Sequence, residues 1–203
     1  YGPKMSSVRI LSVDLQHEFA LPGGRLYRPR DCVPFLTDVV FPAARQRDWP
    51  ISEIISDYRD PPRPAAECSC VPGTWAARSL VPRDQLTGPP WVKAAPSPAW
   101  TRPGGGDEHA EPGEARLSAA EFTGWLERTV GPPDPARAVV VVGLVLEVCV
   151  LSTVQELHYR GYRPRVLLEG VDTGSGDQAQ KRALFDALFP FWGEPVRWDE
   201  LIG

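Results

Sequence analysis

The feature that most constrains the fold of this chain is a nearly continuous apolar run followed at once by a helical pattern. Residues 137–145, RAVVVVGLV, are rich in β-branched side chains and lack polar alternation, which is typical of a strand buried on both faces of a parallel sheet. The segment at 147–161, EVCVLSTVQELHYRG, then shows helical spacing and stops at Gly161, a residue favoured just after a helix. A strand that leads directly into a helix is typical of α/β proteins.

The same alternation continues along most of the chain. Short apolar or alternating runs predict strands at 8–15, 51–57, 91–95, 163–171 and 195–198, the last at an edge of the sheet. Helical spacing predicts helices at 32–49, 117–130 and 177–189. Together these elements predict a three-layer α/β fold with a mostly parallel sheet of about six strands and helices on both faces.

Two of these helices carry local signals. Pro42 must kink or divide the helix at 32–49, because proline removes a backbone donor and clashes with the preceding turn. Ser118 and Glu121 have capping-box spacing at the start of the helix at 117–130. The first signal predicts a break within one helix, and the second predicts the beginning of another.

We expect one domain over residues 5–203. Residues 1–4 precede the only methionine and are excluded from the fold as an expression remnant. The stretch at 101–116 is rich in glycine, proline and acidic residues, which predicts a flexible loop or an insertion.

Composition excludes several classes of function. The net charge of −4 and the scattered arginines give no basic patch for nucleic acid. No run approaches the ~18 apolar residues of a membrane span, and no signal peptide leads the chain. Four cysteines, at 32, 68, 70 and 149, are too few for a secreted disulfide scaffold. We therefore expect a cytoplasmic protein with no membrane or nucleic-acid partner.

Asp14, Lys93 and Cys149 each stand in or just after a predicted strand. Ligands bind at the carboxyl ends of the strands in open parallel sheets, so these three residues are expected to converge. Lys93 also stands out because the 22 basic residues include only three lysines. Of the other two, Lys4 is near the terminus and Lys181 falls on a polar helix face.

The three side chains suit nucleophilic catalysis. A cysteine attacks as a thiolate, and Asp14 is placed to take its proton as a general base. Lys93 and the helix N-terminus should lower the thiol pKa, whereas ionised Asp14 should raise it. Backbone N–H groups in the first turn of the helix would hold a developing oxyanion.

Each residue also has a simpler interpretation. A buried cysteine is commonly a small core residue, an aspartate after a strand is commonly a turn or cap residue, and a lysine in an apolar run often reaches out to solvent. Spacing alone does not decide between these interpretations and a catalytic triad.

Three motifs resemble those of one enzyme family. The segment at 143–162, GLVLEVCVLSTVQELHYRGY, resembles the signature of the isochorismatase-like cysteine hydrolases, roughly G-x-x-x-[DE]-x-C-V-x-x-T-A-x-[DE]-A-x-x-x-G-[YF]. VDLQHEF at 13–19 resembles the family's V-D-x-Q-x-[DE]-F opening, and VKAAPSPAW at 92–100 resembles the segment with its lysine. The relatives include nicotinamidases, N-carbamoylsarcosine amidases and ureidoacrylate amidases, and the resemblance runs in order over residues 8–189.

The resemblance implies a Rossmann-like fold with Asp14, Lys93 and Cys149 as the catalytic triad. It also implies a cis peptide bond between Leu144 and Val145, with the N–H groups of Val145 and Cys149 as the oxyanion hole. Family members hydrolyse C–N bonds of small amides and ureido compounds through a thioester. We therefore expect an amidohydrolase with a small-molecule substrate and no cofactor, assembled as a homodimer or homotetramer.

Two alternative functions stay open. One is an isochorismatase-type vinyl-ether hydrolase, although true isochorismatases lack the cysteine. The other is a catalytically silent α/β module for binding or oligomerisation. Leu146, Val154 and Leu157 depart from the residues usual in the family, so the identity of the substrate does not carry over.

The resemblance also bears on metal binding. Nicotinamidase-like members bind a divalent metal through an aspartate and histidines after the second strand. This chain keeps Asp57, but Arg59 and Ser69 stand where histidines are expected, and a lone carboxylate is no metal site. We predict no metal, and we interpret Cys68 and Cys70 as structural thiols.

Four aromatic residues fall in or near segments expected to rim the pocket. They are Phe19, Tyr58, Trp75 and Trp100. Stacking on a planar substrate is one role for them, and packing in the core is the common alternative.

Overall fold

The computed structural model describes residues 7–203, except for the side chain of Pro190. The remnant predicted at 1–4 lies outside the described residues. The strands are β1 (Ser7–Val13), β2 (Ile51–Ser56), β3 (Trp91–Lys93), β4 (Trp100–Thr101), β5 (Arg116–Leu117), β6 (Arg137–Leu144), β7 (Pro164–Asp172) and β8 (Glu194–Val196). Six of them form one sheet in the order β3-β2-β1-β6-β7-β8, and every neighbouring pair is parallel. The predicted parallel sheet of about six strands is confirmed.

The central position of β6 explains why its sequence lacks polar alternation. It pairs with β1 on one side and with β7 on the other. Val140 and Val142 pack into one apolar cluster, while Val139 and Val141 pack into a second cluster. Both faces of the strand are therefore buried, as in other sheets that carry helices on both sides.

Helices form the outer two layers. In chain order they are α1 (His17–Ala20), α2 (Cys32–Phe35), α3 (Phe41–Gln46), α4 (Ala119–Thr129), α5 (Leu151–Tyr159), α6 (Gln178–Trp192) and α7 (Trp198–Ile202). Residues of α2, α3 and α7 belong to one apolar cluster, and residues of α4, α5 and α6 belong to the other. None of the helices within residues 7–203 is long and apolar enough to cross a bilayer.

One local prediction about helices is confirmed and another is wrong. The helix predicted at 32–49 ends at Gln46, and the π-helical turn Leu36–Val40 divides it shortly before Pro42, as the proline predicts. The capping box is wrong, since Ser118 precedes α4 without a side-chain capping bond and Glu121 pairs instead with Arg116.

The glycine- and proline-rich stretch lies between β4 and β5, which pair as a short antiparallel ribbon. Residues 102–115 contain neither helix nor strand. Arg59 donates to three carbonyl oxygens of this loop, those of Gly104, Asp107 and Ala110. These bonds hold the loop against the end of β2. Its flexibility stays a prediction.

Candidate active site

The carboxyl ends of three strands bring the predicted triad together. Asp14 directly follows β1, Lys93 is the last residue of β3, and Cys149 lies in the π-helical turn Leu146–Val150 after β6. All three are buried, with 0% exposure for Asp14 and Lys93 and 6% for Cys149. Because the strands are parallel members of one sheet, their carboxyl ends share one edge.

Lys93 is the centre of the site. Its Nζ lies 2.8 Å from Asp14 Oδ2 and 3.3 Å from Cys149 Sγ. It also lies 2.8 Å from Ser56 Oγ, 2.7 Å from Tyr58 OH and 3.2 Å from a main-chain oxygen two residues along. An ammonium has three N–H donors, so these acceptors compete. Burial acts to lower the pKa of Lys93, but Asp14, Cys149 and Tyr58 outweigh it and raise that pKa, so the side chain stays charged.

Two hydroxyl groups complete the network. Ser56 accepts a hydrogen bond from Lys93 and donates one to Asp14 Oδ1 at 2.8 Å. Tyr58 OH accepts from Lys93 and lies 3.6 Å from Cys149 Sγ. Sequence reasoning missed Ser56, because a serine at the end of a strand carries no catalytic signal. Only the pairing of β2 with β3, which places Ser56 opposite Lys93, reveals its role.

The Cys149 thiol holds its proton in the resting site. Burial, and then the Asp14 carboxylate, raise the pKa of Cys149 to about 12, against the opposing effects of Lys93 and Tyr58. The sequence predicts the opposing influences of the lysine and the aspartate but not the larger effect of burial. Asp14 pairs with Lys93 through Oδ2 at 2.8 Å, and a side-chain hydrogen bond between Asp14 and Cys149 adds to the rise in the thiol pKa. Asp14 is therefore placed to accept the thiol proton.

The backbone before Cys149 has an unusual geometry. A cis peptide bond joins Leu144 to Val145, at the position that the family resemblance implies. Gly143 has a φ of 116°, and a Cβ at this position would lie 2.0 Å from Val13 O, so only glycine fits. The backbone of Gly143 thus packs directly against β1 at the point where the chain leaves β6 for the π-helical turn.

A cavity of about 510 Å³ opens beside Cys149. The residues that line it with Cys149 are Phe19, Arg25, Leu26, Arg28, Arg30, Tyr58, Pro96, Val145, Val148 and Gly174. Val145 and Cys149, the predicted oxyanion hole, thus border one space. A larger cavity of about 700 Å³ reaches Ser56, but Cys149 does not line it.

Only two of the four predicted aromatic contacts reach this cavity. Phe19 and Tyr58 line it, whereas Trp75 and Trp100 are absent from its wall. Trp75 instead packs against His17, with ring centroids 4.8 Å apart, and Trp100 belongs to β4. Both tryptophans are 41% exposed. Their contact with a substrate stays a prediction, which the lining of this cavity does not support.

Asp57 faces an arginine. Arg59 Nη2 lies 2.7 Å from Asp57 Oδ2, and its Nε lies 3.0 Å from Oδ1. Gly106 N–H also donates to Asp57 Oδ2 at 2.9 Å. Both carboxylate oxygens are therefore engaged. Within residues 7–203, no group of three or more histidine, cysteine, aspartate or glutamate side chains is arranged to hold a metal ion.

Lys181 is not on a polar helix face, contrary to the sequence-based interpretation. It is buried, and its Nζ lies 3.2 Å from Asp172 Oδ1. Asp172 also accepts from the N–H of Cys32 at 2.8 Å and from Gln178 at 2.9 Å. Burial, and then Asp172, raise the pKa of Cys32 well above its usual value. This second lysine–aspartate pair joins α6 to α2 and β7. The neighbouring Cys32 thiol is fully buried and keeps its proton, unlike a nucleophilic cysteine.

The fold and the site define a class of protein. It is a parallel α/β protein with a buried aspartate, lysine and cysteine at the carboxyl edge of the sheet, next to a cis peptide and a cavity. The family model described as the isochorismatase domain matches residues 121–200, which include β6 and Cys149. No curated protein sequence matches the chain significantly.

Solved structures extend the similarity to the whole chain. An isochorismatase-like hydrolase from Alkaliphilus metalliredigens has 20% identity and a TM-score of 0.67, covering 100% of this chain and 98% of that chain. N-carbamoylsarcosine amidase from Thermoplasma acidophilum has 20% identity and a TM-score of 0.63, with 97% and 99% coverage. Pyrazinamidase of Pyrococcus horikoshii in complex with zinc has 16% identity and a TM-score of 0.65, with 95% and 99% coverage. The chain resembles isochorismatase-like hydrolases in sequence and in fold, as its motifs predict.

Proposed function

We propose that the protein is a cysteine hydrolase that cleaves a C–N bond of a small amide, carbamoyl or ureido substrate through a thioester on Cys149. One observation carries this proposal. Cys149 lines a cavity of substrate size, and Lys93 lies within 3.3 Å of its sulfur and 2.8 Å of Asp14. A nucleophile, a base and a cation thus share one buried site.

The first half of the reaction forms the thioester. Because the thiol is protonated at rest, Asp14 takes its proton as the sulfur attacks the carbonyl carbon. The N–H groups of Val145 and Cys149 stabilise the negative charge that develops on the carbonyl oxygen. The C–N bond then breaks, and Asp14 returns the proton to the departing amine or ammonia.

The second half releases the acid. Asp14 takes a proton from a water molecule, which attacks the thioester carbon. The C–S bond breaks, and the sulfur leaves as a thiolate that Asp14 reprotonates. Lys93 stays charged throughout and stabilises the thiolate at both points where it forms, while Tyr58 is placed to donate a hydrogen bond to it.

The reaction needs no metal in this proposal. The pyrazinamidase neighbour is described as a complex with zinc. The residues of this chain do not fit such a group, because both oxygens of Asp57 are held by Arg59 and the main chain, and a cationic side chain occupies the position next to the carboxylate. No step is therefore assigned to a metal.

All four cysteines are free and buried. Free thiols are typical of proteins in a reducing compartment, and we place this hydrolase in the cytoplasm on that ground. The homodimer or homotetramer expected for the chain stays a prediction.

The test is a screen of amides, carbamoyl compounds and ureides with detection of released ammonia. For each substrate that turns over, an acid-quenched sample is digested, and mass spectrometry of the Cys149 peptide should show an acyl adduct. Cys149→Ala should lose both the adduct and turnover, whereas Cys32→Ala, with its thiol away from the cavity, should keep both.

Two outcomes would contradict the proposal. Cleavage of a vinyl ether that persists in Cys149→Ala would favour the isochorismatase-type reaction. A complete absence of turnover and of adduct over the whole screen would favour a silent binding module.

A further inference from the structure

Three arginines from one short segment border the cavity beside Cys149. Arg25, Arg28 and Arg30 lie in the loop between α1 and α2, and all three line the cavity wall. Within the part of the chain that the structure describes, no acidic side chain lines the same wall. The remainder of the lining is largely apolar, which strengthens the field of each charge in the cavity.

Arg30 places a positive charge at the inner part of this wall. Its side chain is buried, and its hydrogen bonds go to main-chain oxygens of Thr173, Phe19, Leu26 and Gly174. Carbonyl oxygens fix the position of a guanidinium but do not neutralise it. The carboxylates of Asp172 and Glu147 attract Arg30, but neither forms an ion pair with it among the described residues. Arg30 therefore holds a positive charge in a fixed position beside the cavity.

Arg28 differs because its guanidinium is available. It is exposed, and the single hydrogen bond found for its side chain among the described residues goes from Nη1 to the oxygen of Tyr27, at 2.7 Å. Arg25, by contrast, donates hydrogen bonds from Nη1 to the main-chain oxygens of Cys68 and Ala66. Arg28 is also close enough to Arg30 for their like charges to repel. An anion between them would relieve this repulsion.

We propose that Arg28, supported by Arg30, binds an anionic group of the substrate, so that the preferred substrates are amides or ureides with a carboxylate on a small apolar body. Guanidinium groups bind carboxylates through paired N–H donors. Phe19, Leu26 and Val148 supply the apolar wall between this charge and the sulfur. The inference rests on the proposed function and adds to it the charge of the substrate.

Two alkylating reagents of similar size test the inference without knowledge of the substrate. Iodoacetate carries a carboxylate and iodoacetamide is neutral, and both modify the same sulfur. The rate of each reaction at Cys149 is measured by peptide mass spectrometry, and the iodoacetate-to-iodoacetamide ratio is compared with that of a free thiol. We expect a higher ratio in the protein, and a decline of that ratio as salt screens the arginines.

Variants assign the effect to Arg28. Arg28→Gln should lower the rate ratio about fivefold, the effect of one lost charge contact at a partly exposed site. Arg28→Lys should retain most of the ratio. Arg47→Gln is the matched control and should leave the ratio unchanged. Arg47 is exposed and lies just before β2, at the amino ends of the strands, whereas the site lies at their carboxyl ends.

The failures of the two proposals are distinguishable. If Cys149 reacts with both reagents in the ratio of a free thiol, and Arg28→Gln does not alter that ratio, the anion site is refuted while the nucleophile stands. If Cys149 reacts with neither reagent, although the denatured protein does, the proposed nucleophile itself is refuted.

Discussion

Replacing Lys93 by methionine should shift the reactivity of Cys149 to higher pH. Lys93 Nζ lies 3.3 Å from Sγ, and at an effective dielectric constant of 20 two unit charges at this separation attract by about 5 kcal/mol. That energy corresponds to roughly three to four powers of ten in the thiolate population. The pKa of Cys149, already raised to about 12 in the wild type, should therefore rise further.

A second effect reduces this rise in the pKa of Cys149. Asp14 is fully buried and loses its cation when Lys93 is removed. Ser56 still donates to Asp14 Oδ1, but a buried carboxylate without a cation is strongly disfavoured, so less negative charge opposes the thiolate in the variant. We therefore expect alkylation of Cys149 to be at least about tenfold slower at any pH below the pKa. Turnover should fall by about a thousandfold, because the general base is lost as well.

The assay is the rate of Cys149 alkylation by iodoacetamide between pH 6 and 10, measured on its peptide because the chain has three other thiols. Lys93→Arg should slow alkylation and turnover almost as much as Lys93→Met. A planar guanidinium prefers to bind the Asp14 carboxylate with two N–H groups and does not contact Asp14 and the Cys149 sulfur at once. Lys181→Met is the matched control, because it also removes a buried lysine from an ion pair with an aspartate. It should lower the melting temperature without altering the alkylation profile. An unchanged profile and unchanged turnover in Lys93→Met would refute the triad.

Three further predictions concern the nucleophile, the absence of a metal and a buried glutamate. Cys149→Ala should abolish hydrolysis with the melting temperature nearly unchanged, and Cys149→Ser should retain at most a trace, because an alkoxide is much harder to form; full activity in either variant rules out the thioester. Exhaustive chelation should alter neither turnover nor melting temperature, because Arg59 engages Asp57; activity that is lost and then restored by zinc or manganese would contradict this. Burial, opposed by a hydrogen bond from Ser79, raises the pKa of Glu53 from 4.5 to about 7, so the folded state should lose roughly 3 kcal/mol as pH rises from 4.5 through 7. Thermal unfolding at pH 5 and pH 8 should show this loss in the wild type and a smaller one in Glu53→Gln, and equal losses would exclude Glu53 as the cause.

The sequence determined the layers of the fold and the three residues that we expect to react. An apolar run such as 137–145 has few alternatives to a strand buried on both faces, and its alternation with helical patterns leads to a parallel sheet. Asp14, Lys93 and Cys149 were singled out because a parallel sheet collects residues from the carboxyl ends of its strands at one edge. The family motifs then favoured a triad over the simpler interpretations. Local pattern, topology and motif are all visible in a sequence directly.

Only the tertiary structure decided which other side chains join them. Ser56 enters the network through the register between β2 and β3. Trp75 packs against His17 instead of lining the cavity, and Trp100 is also absent from the cavity wall. Lys181 is buried because α6 packs against the end of β7.

The electrostatics of the site also depend on burial, which a linear pattern does not report. The thiol pKa of Cys149 rises because the sulfur is buried beside an aspartate. The charge around Arg28 and Arg30 accumulates because one loop folds both side chains toward the same cavity. Residues far apart in the chain come within contact distance, and lose their contact with water, only when the chain folds. Both changes set the chemistry of the site.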